Sequence, residues 1–122
     1  MKFWLAAGAI NGLLGVALGA FAAHGLKQKL EPRLFDIWEV GVRYHMYHAL
    51  ALLAVAFFAD RLPSSPLNWA GYAFLFGIIL FSGSLYAYAL TNHKSLVFIT
   101  PVGGGAFLVG WLILALAALR MR

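Results

Sequence analysis

The ionisable residues of this sequence lie mostly at the ends of long apolar stretches, and His48 is the one placed deepest within such a stretch. Tyr44 precedes it by one helical turn, so the two side chains share a face and can hydrogen-bond or line a common cavity. Because an ionisable group at membrane depth is costly, it is a candidate functional residue by default. We therefore expect any local site to include His48, with structural hydrogen bonding as the favoured role.

A metal or haem site is the alternative interpretation of the histidines. His24 ends the first apolar stretch and His93 lies in the last polar loop, so both can reach the side where the second stretch begins, near His45 and His48. The sequence has no cysteine, and paired histidine ligands usually come with a more distinctive spacing. We therefore predict no metal and no cofactor.

Hydroxyl groups recur at two further places. Ser82 and Tyr86 are i,i+4 neighbours near the end of the third stretch, and Thr100 opens a proline- and glycine-rich motif near the start of the fourth. The sequence has no Ser-His-Asp arrangement and no carboxylate deep within a stretch. It therefore lacks the residues that acid–base or nucleophilic catalysis would need. We expect no enzymatic activity, and the candidate binding residues are His24, Tyr44, His48, Ser82, Tyr86 and Thr100.

Four apolar stretches, at about 3–23, 41–60, 67–90 and 96–119, must position these residues. Of the 122 residues, 63% are hydrophobic and only 11% are charged, which is far more apolar than a soluble domain of this size. At about 1.5 Å per residue, such stretches cross a hydrocarbon core of about 30 Å. We predict an all-α, polytopic membrane protein with a single domain, 1–122, folded as a four-transmembrane-helix bundle. A signal peptide is the disfavoured alternative for the first stretch.

Residues 24–43, which join the first stretch to the second and include the start of the second, are amphipathic and hold seven of the thirteen charged residues. This pattern predicts an interfacial helix, or one that leads straight into the second span, with opposite faces formed by Arg33, Asp36, Glu39 and Arg43 and by Leu34, Trp38 and Val42. The other basic residues flank the stretches on both sides. The net charge of +5 therefore indicates membrane-flanking charge rather than nucleic-acid binding, and it predicts no orientation.

A stripe of small residues runs along the first stretch, where Gly8, Gly12, Gly15 and Gly19 recur at steps of four, three and four. Small residues let membrane helices approach closely. Packing within the bundle is the favoured interpretation, and a homo-oligomer contact is the alternative. In the third stretch, Gly83 is expected to open space for a neighbouring helix.

The fourth stretch is interrupted near its start by Thr100 and Pro101, which suit the N-cap and the first position of a helix. A proline kink with tight packing at Gly103 and Gly104 is the favoured interpretation. The alternative is a broken helix whose free N–H groups hold an anion or a polar group, as in some transporters.

Several motifs in this order resemble one known family, namely Gly19-Ala-Phe-Ala-Ala-His-Gly-Leu26, Tyr44-His-Met-Tyr-His-Ala-Leu-Ala-Leu-Leu53, Leu80-Phe-Ser-Gly-Ser-Leu-Tyr86, and Ile99-Thr-Pro-Val-Gly-Gly104 with Gly110-Trp111. The chain resembles the domain of unknown function 423 family of small membrane proteins, YgdD-like in bacteria and related to transmembrane protein 256 of animals. The resemblance implies a membrane protein without an assigned activity, cofactor or catalytic residue. We expect it in the bacterial cell (inner) membrane.

The sequence favours two functions over a third, an intramembrane enzyme or a carrier of metal or haem. The more favoured of the two is a non-enzymatic structural or accessory membrane protein. The alternative is a small transporter, channel or ligand-binding protein that uses the broken fourth helix and the region of His24 and His48. A cavity reaching both Thr100 and His48 would favour the alternative, whereas tight packing with complete hydrogen bonding would oppose it. Expected partners are membrane lipids and, under the oligomer alternative, a second copy of the chain.

Overall fold

Four helical spans make up most of residues 1–120, the part of the chain that the computed structural model describes. Each is long and apolar enough to cross a membrane, so the predicted all-α, four-span fold is confirmed, and this part of the chain contains no strand. The spans run Lys2–Leu26, Pro32–Phe58, Ser64–Thr91 and Lys94–Leu119. Their α-helices are α1 (Lys2–Phe21), α2 (Pro32–Phe58), α3 (Ser64–Gly77), α4 (Gly83–Thr91) and α5 (Thr100–Leu119). Short π- and 3₁₀-helical turns complete them at Ala22–Leu26, Ile78–Ser82 and Lys94–Phe98.

The second span is one uninterrupted helix that begins at Pro32, earlier than the predicted boundary at residue 41. Its 27 residues correspond to about 40 Å, which exceeds the hydrocarbon core by roughly two turns. The amphipathic segment is therefore the start of this span, the second of the two predicted arrangements. Leu34 and Trp38 on its apolar face are buried, and Trp38 Nε1 donates a hydrogen bond of 3.1 Å to the Leu18 carbonyl of the first span.

The glycine stripe of the first span faces the second span within the same chain. A methyl group added at Gly8 would meet Leu53, one at Gly15 would meet Met46, and one at Gly19 would lie 3.2 Å from Val42. At Gly12 an added methyl would meet nothing within 4 Å. The stripe thus serves intramolecular packing at three of its positions, and Gly12 lies outside this close contact.

Close contact between the third and fourth spans depends on Gly103. The backbone of the third span passes so near that a methyl group at Gly103 would lie 2.8 Å from the carbonyl carbon of Leu80. This approach occurs at the π-helical turn Ile78–Ser82. Gly104, one residue further, keeps ordinary contact with the ring of Phe81, from which a methyl group would be 3.6 Å away.

Gly83 does not face a neighbouring helix, so this packing prediction was wrong. The nearest atom to a methyl group there is the Ile78 carbonyl oxygen of the same span, at 4.0 Å. The prediction assumed a regular α-helix. The π-turn that ends at Ser82 accommodates an extra residue and rotates the face that follows it.

The fourth span changes pitch at its start but is not broken. A 3₁₀ turn, Lys94–Phe98, passes through Ile99 into α5, and the Ile99 carbonyl accepts hydrogen bonds from the N–H groups of Val102 and Gly103 at 3.1 and 3.3 Å. Thr100 is the first helical residue rather than the N-cap, and no side chain caps this end. The N-cap prediction was wrong because the Thr100 hydroxyl lies 2.5 Å from Ser84 Oγ instead. Pro101 occupies the first turn, as predicted, and is exposed.

Spans that are consecutive in sequence pack side by side. The first span meets the third at one end, where Trp4 Nε1 donates a hydrogen bond of 2.8 Å to Asn68 Oδ1. The backbones of the second and fourth spans lie further apart, and side chains such as His48 and Phe107 meet between them. A shallow furrow therefore separates them on the outside of the bundle.

Candidate functional site

His48 bridges the second and fourth spans with both ring nitrogens engaged. Trp111 Nε1 donates to His48 Nε2 at 3.0 Å, and His48 Nδ1 lies 2.7 Å from the Tyr44 carbonyl oxygen. An indole N–H can only donate, so Nε2 accepts and Nδ1 carries the proton. The ring also stacks on Phe107, with centroids 3.5 Å apart and planes 7° from parallel. His48 is therefore a neutral, fully paired imidazole.

His45 ties three spans together through the opposite tautomer. Its Nε2 lies 3.0 Å from Asn11 Oδ1, and its Nδ1 lies 2.9 Å from the Tyr86 hydroxyl. Asn11 Nδ2 donates to the Ala7 carbonyl at 2.8 Å, which identifies Oδ1 as the acceptor. His45 Nε2 therefore donates, and Nδ1 accepts from the Tyr86 hydroxyl. This chain of neutral hydrogen bonds runs from the first span through the second to the third.

The hydroxyl groups of the third span also connect neighbouring spans. Ser82 is fully buried and donates to the Gly41 carbonyl of the second span at 2.8 Å. Ser84 Oγ lies 2.5 Å from Thr100 Oγ1 and also donates to the Phe81 carbonyl at 2.9 Å. Each of these hydroxyls therefore has a partner inside the bundle.

The candidate residues do not form one site. Tyr44 and His48 lie together, Ser82 and Tyr86 bond the second span at separate points, and Thr100 pairs with Ser84. His24 is exposed at the end of the first span, and no group of three or more metal-ligating side chains occurs in residues 1–120.

A groove of about 380 Å³ opens beside His48 on the lipid-facing side of the bundle. Its walls are mainly aromatic and include Tyr44, Tyr47, Phe107 and Trp111. Neither Thr100 nor His24 borders it. A larger groove of about 530 Å³ between the third and fourth spans exposes almost no polar atoms. We therefore place the candidate site at His48, where a groove and polar groups meet.

Replacing Trp111 with phenylalanine is expected to lower the free energy of unfolding by about 0.5–1.5 kcal/mol, because it leaves His48 Nε2 without its donor. Reversible unfolding in mixed detergent micelles, followed by circular dichroism, measures the change. Trp69→Phe is the matched control, since Trp69 is 66% exposed and borders the apolar groove. Equal effects of the two substitutions would show that the His48–Trp111 bond contributes nothing.

The chain is similar to membrane proteins of several bacteria. A family model described as "Protein of unknown function (DUF423)" matches residues 18–104. The UPF0382 membrane protein YwdK of Bacillus subtilis is 48% identical over 121 residues, which cover 98% of each chain. A UPF0382 membrane protein of Staphylococcus epidermidis is 46% identical over 120 residues, again covering 98% of each chain. UPF0382 membrane protein SSP2132 of Staphylococcus saprophyticus is 43% identical over 99% of this chain and 100% of its own length.

No solved structure matches this chain. The family model spans all four motifs up to Gly104, and the relatives align over nearly the full length. Together with the four apolar spans, these matches show a multi-pass membrane protein, and the chain belongs to the DUF423 family of membrane proteins, whose function is unknown.

Proposed function

We propose that this protein is a non-enzymatic structural or accessory protein of the bacterial cell (inner) membrane. The observation that carries the proposal is the completeness of its internal hydrogen bonding. Within residues 1–120, no buried side-chain nitrogen or oxygen lacks a hydrogen-bond partner. The bacterial relatives and the helical spans support the location.

The polar groups in the bundle are already committed to holding the spans together. A transporter or enzyme would need some of them to bind substrate, and substrate would then have to replace bonds made by His45, His48 or Ser82. Breaking such a bond leaves a buried polar group without a partner, and the folded state then loses the free energy of desolvating that group. A structural role requires no such exchange, so it accounts for the arrangement with the fewest assumptions.

The groove beside His48 favours a ligand-binding protein as the second candidate. It is large enough for a small ligand. The two residues expected to share a cavity with His48 under this alternative are elsewhere, since Thr100 pairs with Ser84 and His24 is exposed. A transporter that uses the start of the fourth span has less support, because the N–H groups of Val102 and Gly103, in the first turn of α5, already bond the Ile99 carbonyl.

Thermal unfolding with single water-soluble solutes separates these two functions. A solute present at 100 times its dissociation constant stabilises the folded state by about 2.7 kcal/mol, which raises the Tm by several degrees. We expect no ion, amino acid, sugar, nucleotide or organic acid to produce such a rise. A rise seen in the wild type and in His93→Gln, but absent in His48→Gln, would contradict the structural role and favour ligand binding.

A further inference from the structure

The outer face of the second span carries charged residues without partners in the bundle. Asp36, Glu39 and Arg43 are all exposed and lie on one face of α2. The ion pair that forms among residues 1–120 is elsewhere, between Arg33 and Glu31 at 3.7 Å. Arg43 and Glu39 are therefore available to groups outside the chain.

Arg43 lies at membrane depth rather than in a loop. Its neighbour Val42 packs against Gly19 of the first span, whose charge-free stretch continues to Ala23. Arg43 is therefore about 6 Å inside the end of that stretch. A guanidinium at this depth needs an anion or must extend towards the headgroups. The phosphate of a lipid is the anion nearest to this level of a bilayer.

The aromatic groove beside His48 begins one helical turn deeper along α2 than Arg43. Tyr47, four residues after Arg43, borders the groove together with Tyr44, Phe107 and Trp111. Tyr47 is 53% exposed, and no group of residues 1–120 hydrogen-bonds its hydroxyl. Beyond Trp111 the furrow between the second and fourth spans continues into another groove, of about 400 Å³, which is lined almost entirely by apolar atoms. The surface thus changes from charged to phenolic to apolar as it enters the membrane.

We propose that this face binds one phospholipid with a primary ammonium headgroup, the chemistry of phosphatidylethanolamine. The phosphate pairs with Arg43, the ammonium pairs with Glu39, and an ester carbonyl accepts a hydrogen bond from Tyr47. One acyl chain lies in the furrow against Phe107 and Trp111. Glu39, Arg43 and Tyr47 follow one another at intervals of about 6 Å along α2. The ammonium, the phosphate and the ester carbonyl follow one another in the same order along the lipid.

The charges select this headgroup over the other common ones. Arg43 offers a planar set of donors that suits a phosphate. Glu39 and Asp36 repel a headgroup with net negative charge, such as that of phosphatidylglycerol. A carboxylate also accepts hydrogen bonds from a primary ammonium, whereas the trimethylammonium of phosphatidylcholine has no N–H to donate. The lipid site is independent of the proposed function, because it lies outside the bundle and uses none of its internal hydrogen bonds.

Native mass spectrometry tests the site directly. The full chain is placed in nanodiscs with equal amounts of phosphatidylethanolamine, phosphatidylglycerol and phosphatidylcholine of the same acyl chains, and the lipids retained on release are counted by class. The variants are Arg43→Gln, Glu39→Gln, Tyr47→Phe and the charge swap Glu39→Arg with Arg43→Glu. Lys29→Gln is the matched control, since Lys29 is an exposed cation in the loop between the first two spans. Helicity and thermal unfolding confirm that each variant is folded.

We expect the wild type and Lys29→Gln to retain phosphatidylethanolamine preferentially. Arg43→Gln should reduce that retention about tenfold, the effect of losing one good charged contact. Glu39→Gln should reduce the preference over phosphatidylglycerol, although Asp36 still repels that headgroup, and Tyr47→Phe should weaken retention without changing the preference. Equal retention of the three lipids by the wild type would overturn the proposal. So would unchanged retention in the charge swap, because the two residues would then act only as an ion pair within the helix.

Discussion

Replacing Gly103 with alanine is expected to destabilise the bundle more than any other single added methyl group in the fourth span. The methyl group would lie 2.8 Å from the Leu80 carbonyl carbon and closer still to the Phe81 nitrogen. Both are backbone atoms, so no side-chain rotation relieves the clash, and the third and fourth spans must separate. We expect the free energy of unfolding to fall by about 2–3 kcal/mol, as measured by reversible unfolding in mixed micelles.

Gly105→Ala is the matched control for this substitution. Gly105 lies in the same helix two residues later, and an added methyl there meets nothing within 4 Å. Because alanine favours a helix over glycine by about 0.5–1 kcal/mol, the control should leave stability unchanged or raise it slightly. If the two variants unfold alike, close backbone approach at Gly103 does not hold the third span against the fourth.

The spans could be predicted from the sequence because hydrocarbon thickness restricts them strongly. A segment without charges from Phe3 to Ala23 is stable in few environments other than a membrane. Its backbone must be helical there to satisfy its own N–H and C=O groups. The amphipathic pattern around Trp38 likewise identified which face of α2 is buried. These features depend on local sequence and on the solvent, so one sequence is enough to find them.

The contacts between spans could not be predicted as well, because they depend on helix rotation and on residues far away in sequence. Gly41, Gly71, Gly77 and Gly110 each lie against an aromatic ring of a neighbouring span, yet none belongs to the stripe that spacing identified. The turn at Ile78–Ser82 is a further example, because it shifts the register of everything after it, including Gly83.

Two polar contacts had signals in the sequence, although neither pair was predicted. Trp111 has an indole N–H in the middle of an apolar span, and such a donor needs an acceptor where the surrounding lipid provides none. His48 supplies it. Asn11 is the strongly polar residue of the first span, but its partner His45 is not among the binding residues predicted from the sequence. In both pairs, a polar group of one span meets the hydrogen-bonding need of a polar group in another span.

His45→Ala should cause the largest loss of stability among substitutions of the polar residues. It removes the hydrogen bonds to Asn11 Oδ1 and to the Tyr86 hydroxyl, and it leaves a cavity at a position that is 4% exposed. Hydrogen bonds between membrane helices average about 0.6 kcal/mol, so the two bonds account for only part of the effect. With the lost packing of the imidazole, we expect the free energy of unfolding to fall by about 2–4 kcal/mol.

Two further variants separate packing from hydrogen bonding at His45. Tyr86→Phe removes one hydroxyl and keeps the ring that packs on Trp38, so it should cost about 0.5–1.5 kcal/mol. In the double variant with His45→Ala that cost should largely disappear, because the hydroxyl has already lost its partner. His24→Ala, at an exposed position, should change stability by less than about 0.5 kcal/mol. Strictly additive effects of His45→Ala and Tyr86→Phe would show that the chain of hydrogen bonds does not couple the second span to the third.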